Sequence, residues 1–181
     1  MARIVGIAGS LRQLSYNAAL LRTAAELVPE GSELVIESLR GIPVYDGDLE
    51  DQEGLPGRVS ELQSALAGAD GVLLVTPEYN AGVPGAAKNA IDWISRGENG
   101  KVLKGKPLAL IGTGGGGGTR YSQSAWLPTM RMLGARLYSE HSLFAARAWT
   151  LFNEERALTD EATAEQLQKL IDGFVAFCDE H

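Results

Sequence analysis

GVLLVT at 71–76 and PLALIG at 107–112 are apolar along almost their whole length. A strand with one wet face alternates, whereas an unbroken apolar run of this length reads as a strand covered on both faces. That requirement narrows the fold sharply, because something must lie above and below the sheet. The rest of the chain supplies it. Further strand-like runs, RIVGIA (3–8), ELVIES (33–38) and LYSEHSLF (137–144), alternate with helical segments at about 16–28, 56–67, 84–95, 120–134 and 160–178. The last of these opens on Thr159–Asp160 and carries Leu167, Leu170, Ile171, Phe174 and Val175 at helical spacing. Five strands alternating with five helices predict an α/β fold, a doubly wound parallel sheet with right-handed crossovers.

A chain of 181 residues suits a single domain spanning 1–181. Its net charge of -7 argues against nucleic acid or an anionic membrane as the main partner, since both would repel the average surface. A small anion answers to local charge and stays open. The lone cysteine, Cys178, sits in the apolar stretch FVAFC and reads as a packed small hydrophobe in a reducing compartment. RIVGIAG is too short for a signal-peptide core and no run reaches the length of a membrane span, so the expected location is the cytoplasm.

In a doubly wound sheet, ligands bind beyond the carboxyl ends of the strands. The loops expected there after the first, third and fourth strands are GSLRQLSYN, PEYNAGVPG and GTGGGGGTRYSQ, all chemically unusual. The first turns into a helix whose leading N–H groups and positive dipole end form an anion site. Ser10, Ser15 and Asn17 add donors, and Arg12 adds a fixed positive fork. Alternatively Ser15 or Asn17 only caps the helix and Arg12 is solvated, but a cap needs one such residue rather than four. No Walker A lysine follows either glycine-rich loop, so a monophosphate is the natural ligand.

The second loop leaves its strand through Pro77, and its prolines and glycines hold the backbone open as an edge for a planar ligand. Glu78, Tyr79 and Asn80 are its chemistry-bearing residues. Trp93, on the following helix, reads as packing or subunit contact. The third loop matches G-x-G-x-x-G from Gly112 through Gly114 to Gly117, an almost automatic match in such a glycine run. It is read instead as a mobile, side-chain-free loop that lets a flat ligand reach the backbone, with Gly114, Gly115 and Gly116 as candidates. Arg120 either meets a nucleotide phosphate or simply starts the next helix.

GSLRQLSYN together with PEYNAGVPGAAKNAIDW resembles the NADPH-dependent FMN reductase family, which includes chromate and quinone reductases of flavodoxin-like fold. The resemblance runs along the whole chain in order. It implies a three-layer, five-stranded sheet of order 2-1-3-4-5, FMN as cofactor and NADPH or NADH as co-substrate. It also places Ser10, Arg12, Ser15 and Asn17 on the FMN phosphate, Pro77, Glu78, Tyr79 and Asn80 along the isoalloxazine, and the third loop at the ring's border. A homodimer or homotetramer is implied too, with the NAIDW helix as candidate interface. The electron acceptor would be a small molecule: a quinone, azo dye, metal oxyanion or free flavin.

Other chemistries find little support. His141 and His181 are isolated from any Cys/His cluster, so no metal site is expected. No G-x-S-x-G elbow appears, and GIAGS lacks the acids of a phosphoacceptor domain. The acids of YDGDLEDQE (45–53) read as a solvated loop. No catalytic side chain is expected, because hydride transfer is the cofactor's chemistry. The competing reading is a flavodoxin-type carrier that binds FMN without NAD(P)H turnover.

Overall fold

A computed structural model describes residues 1–180; His181 lies outside the described residues. Six strands form one parallel sheet: β1 (Arg3–Ala8), β2 (Glu33–Glu37), β3 (Gly71–Val75), β4 (Pro107–Thr113), β5 (Arg136–Leu137) and β6 (Leu143–Ala145). The order is β2-β1-β3-β4-β5, with β6 also paired to β4. This is the flavodoxin-like arrangement expected from the sequence. The order reverses at β1 and β3, so a crevice opens between the loops leaving their carboxyl ends.

Helices cover both faces. On one, α1 (Tyr16–Glu26) and α6 (Glu161–Asp179) bury Leu20, Leu21, Ile171 and Phe174 against Ile4, Leu73, Val75 and Ile111. On the other, α3 (Gly57–Ala67), α4 (Gly85–Ile94) and α5 (Arg120–Met132) bury Leu62, Leu66, Trp93 and Trp126 against Val5, Ile7, Val72 and Leu74. Successive β3 residues feed opposite cores, which explains why the sequence run shows no alternation. Asp160 caps α6, accepting from the Thr163 N–H at 2.8 Å, and the Thr163 side chain together with this N–H lowers its carboxyl below the ordinary range.

Two expectations need correction, and a third, for Trp93, resolves as packing. The continuous strand at 137–144 is broken: β5 pairs with Pro107 and Leu108, the Tyr138 N–H still donates to the Leu108 carbonyl at 2.9 Å, β6 pairs with Ile111 to Thr113, and 139–142 leave the ladder between them. Tyr138 turns inward against Phe174 (ring centroids 5.7 Å apart), while Ser139 to Ser142 are exposed and have no apolar face to pair. The acidic stretch at 45–53 is solvated but helical, as α2 (Gly47–Glu53), because Asp46 caps it through the Asp48 N–H at 2.9 Å. Trp93 is an internal residue, fully buried, its indole N–H donating to the Pro43 carbonyl at 2.9 Å and its ring set edge-on to Tyr45. It is therefore unavailable as a subunit contact.

Candidate functional site

The first loop is built to present donors outward. Ser15 is the N-cap of α1 and accepts from the Ala18 N–H at 3.2 Å, leaving its own hydroxyl proton for a ligand. Ser10 accepts from the Arg12 N–H at 3.4 Å and from the Tyr79 hydroxyl at 3.2 Å, which ties the first loop to the second. The Arg12 side chain is exposed and has no partner among the described residues. Asn17 is spent differently. Its Nδ2 donates to the Thr113 carbonyl at 2.8 Å and its Oδ1 accepts from the Thr113 N–H at 3.0 Å, bolting the start of α1 to the end of β4.

The second loop is tighter than an open edge. Tyr79 and Gly82 exchange backbone hydrogen bonds at 3.3 and 3.0 Å, closing a turn whose central residues, Asn80 and Ala81, have φ of 53° and 56°. Left-handed backbone at an alanine is costly and persists only where the surroundings impose it. Glu78 turns towards α5, and its Oε2 accepts from the Tyr121 and Ser122 N–H groups at 2.9 and 3.1 Å. Thr119, at the N-cap of α5, makes no side-chain cap bond, so this carboxylate takes that place and meets the helix dipole.

The third loop is fastened rather than loose. The Gly114 N–H donates to Ala145, and the Gly114 and Gly115 carbonyls accept from the Ala148 and Arg147 N–H groups, both at 2.9 Å. A side chain at Gly118 would collide with the Phe144 carbonyl, at a φ of 69° that favours glycine anyway. Gly115, Gly116 and Gly117 face open space on their Cβ side. Arg120 is the first residue of α5 and stacks over the Phe144 ring at 5.5 Å.

Together the three loops enclose a cavity of about 220 Å³ lined by nine of the expected residues: Ser10, Arg12, Ser15, Asn17, Pro77, Glu78, Tyr79, Gly114 and Gly115. Asn80 and Gly116 lie outside that lining. Thr113 also lines it, with a buried hydroxyl that has no hydrogen-bond partner among the described residues. A buried polar atom left orphaned beside a cavity marks a place where a polar ligand completes the structure. Anion donors at one end, an unpaired hydroxyl and a side-chain-free glycine wall fit a molecule with a phosphate tail and a flat, polar-edged ring.

The family model described as NADPH-dependent FMN reductase matches residues 2–150. The chain belongs to that family. It is 34% identical over 168 residues to an NAD(P)H-dependent FMN reductase of Pseudomonas aeruginosa, covering 92% of this chain and 90% of that one. An NADPH:quinone oxidoreductase of Arabidopsis thaliana is 34% identical over 186 residues, covering 98% and 92%. Among solved structures, the flavoenzyme NAD(P)H:(acceptor) oxidoreductase FerB of Paracoccus denitrificans superposes with a TM-score of 0.88 at 31% identity, over 100% of this chain and 99% of that one.

In this FMN reductase chain, sequence reasoning missed four lining residues: Tyr16, Thr113, Ala148 and Trp149. Thr113 ends a buried strand and gave no polar signal. Ala148 and Trp149 come from a segment after β6 with no motif, brought to the cavity by its hydrogen bonds to Gly114 and Gly115. Tyr16 is held by Arg156, whose guanidinium donates to the Tyr16 hydroxyl at 3.2 Å and stacks 4.3 Å from its ring. Nothing local in the sequence links residues so far apart.

Proposed function

We propose that the chain holds FMN in the three-loop cavity, accepts reducing equivalents from NADPH or NADH there, and passes them to a small acceptor such as a quinone. The observation that carries this reading is the meeting, in one cavity, of an anion-binding helix start with an orphaned hydroxyl and a glycine wall. Family membership and the reductase names of its relatives support it over a simple electron carrier.

When bound, FMN supplies a ring that takes up and gives away hydride, so no protein acid or base is needed for that transfer. The protein's part is placement. The free hydroxyl protons of Ser10 and Ser15, the first N–H groups of α1 and the Arg12 guanidinium hold the phosphate. Asn17 contributes by fixing the helix start to β4. Pro77, Glu78 and Tyr79 present backbone and a phenol ring along the isoalloxazine, with Asn80 setting the turn. Gly114 and Gly115 wall the other side, and Gly116 leaves the mouth of the cavity uncrowded.

Two finer proposals accompany this one. The assembly is a homodimer or homotetramer, supported by an exposed apolar face on α5, where Met132 is 85% and Leu127 46% exposed. The protein works in the cytoplasm; among the described residues no helix is long and apolar enough to cross a membrane.

The deciding experiment is anaerobic mixing of the purified, FMN-loaded protein with NADPH. Rapid loss of oxidised-flavin absorbance, followed by its return on adding a quinone, is expected. A protein that stays colourless when offered FMN overturns the reading, as does a flavin that NADPH and NADH leave oxidised.

A further inference from the structure

A second cavity, of about 300 Å³, lies on the far side of residues 10–13, between the first loop and the segment that follows β2. Ser10 and Arg12 line both cavities, so the two are neighbours across one strip of backbone. Its other polar lining comes from Gln13, Glu37, Ser38 and Arg40.

The charge of this second cavity is unusual for a chain of net charge -7. Arg12 and Arg40 both reach it. The one acid in the lining, Glu37, is already taken: Arg58 binds it at 2.6 Å and also donates to the Ser38 carbonyl at 2.7 Å. Those two hydrogen bonds from Arg58 therefore neutralise the acid and fix the backbone that carries Arg40. Arg40 in turn donates to the Leu11 carbonyl, which aims its guanidinium at the first loop and leaves most of its five donors open. With Ser10 and Arg12 given to the cofactor's phosphate, the Arg40 guanidinium, the Ser38 hydroxyl and the Gln13 amide remain in this small cavity as donors for a phosphomonoester dianion.

FMN brings one phosphate, and the start of α1 already provides for it. A second anion site touching the cofactor cavity suits a partner of the cofactor that carries a phosphate of its own. NADPH differs from NADH by such a group. Resting on the flavin reading above, we propose that this cavity seats the 2′-phosphate of NADPH and that Arg40 selects NADPH over NADH.

Adenosine 2′,5′-bisphosphate and 5′-AMP are the probes, titrated calorimetrically into FMN-loaded wild type, Arg40→Ala, Arg40→Lys and Gln13→Glu. Wild type is expected to prefer the bisphosphate by about tenfold, the scale of one charge-assisted hydrogen bond. Arg40→Ala should abolish the preference and Arg40→Lys keep part of it. Gln13→Glu removes no hydrogen bond and adds a repelling carboxylate, so it should also lower the preference without loosening the loop. The ratio of kcat/KM for NADPH to that for NADH should fall about tenfold in Arg40→Ala. Equal affinity of wild type for the two probes overturns the proposal, as does a preference that survives both Arg40→Ala and Gln13→Glu. Loss of FMN affinity in Arg40→Ala with nucleotide preference intact overturns it too, by giving the cavity to the cofactor's own phosphate. The same titration on flavin-free protein reads the cavity independently, so a failure of FMN binding is distinguishable from a failure of this site.

Discussion

Asn17 and Thr113, 96 residues apart, exchange two buried hydrogen bonds, so the start of the first helix and the end of the fourth strand move as one body. Asn17→Ala strands a buried N–H and a buried carbonyl at once. The expected loss is about 2–4 kcal/mol of unfolding free energy. Urea unfolding checks it, and an unchanged midpoint would show that the pair contributes nothing.

Arg12 has no such structural duty. Arg12→Ala should leave the urea midpoint in place while weakening FMN retention by about 2 kcal/mol, the scale of a charge-assisted hydrogen bond. Fluorimetric FMN titration measures this, and an unaltered dissociation constant would remove Arg12 from the phosphate site.

Trp93 and Trp126 are fully buried, whereas Trp149 stands 60% exposed at the mouth of the cavity. Acrylamide should therefore quench one tryptophan component in the flavin-free protein, and FMN should shield it. Trp149→Phe is expected to delete that component. Quenching that FMN does not alter would place the cofactor elsewhere.

Burial pushes the Cys178 thiol up to about 12. The folded chain then holds a proton that the unfolded chain releases near the ordinary value of 9.0. Stability from this group is complete below that value and erodes as pH climbs towards the folded one. Native protein at pH 8 should resist iodoacetamide and react only after denaturation. Prompt alkylation of the native state would contradict the packing at this position.

The exposed apolar residues on α5 give the assembly a specific test. Met132→Asp should shift sedimentation towards a smaller species. Trp93→Ala should instead cost stability, by about 3–5 kcal/mol, because it empties an internal site. Sedimentation unchanged by Met132→Asp would move the interface to another face.

How far the sequence carried is clearest at particular residues. The strand–helix alternation and the three-loop cluster were legible because apolar runs and Gly/Pro-rich loops are local signals, whereas the sheet order came from the family resemblance. The roles inside the cluster were less so. Glu78 and Asn17 look like ligand contacts in a one-dimensional reading, yet the fold commits most of their polar atoms to α5 and Thr113. Trp149 and Tyr16 reach the cavity through contacts with residues remote in sequence, which no window of neighbours contains. The break falls after Tyr138, which both donates its N–H to the Leu108 carbonyl and packs its ring on Phe174, where the exposed residues 139–142 have no apolar face to bury.

That break has a consequence for how the molecule behaves in a crowd. Continuous apolar strands are the raw material of aggregation, and a long free margin would invite another chain to extend the ladder. Here one margin is two short stretches separated by exposed polar residues, and the other is a five-residue strand with Glu33 and Glu37 at its ends. The first margin is too interrupted to extend, and on the second the two glutamates set charge beside the outer amides, so a very sticky interior can remain a private matter.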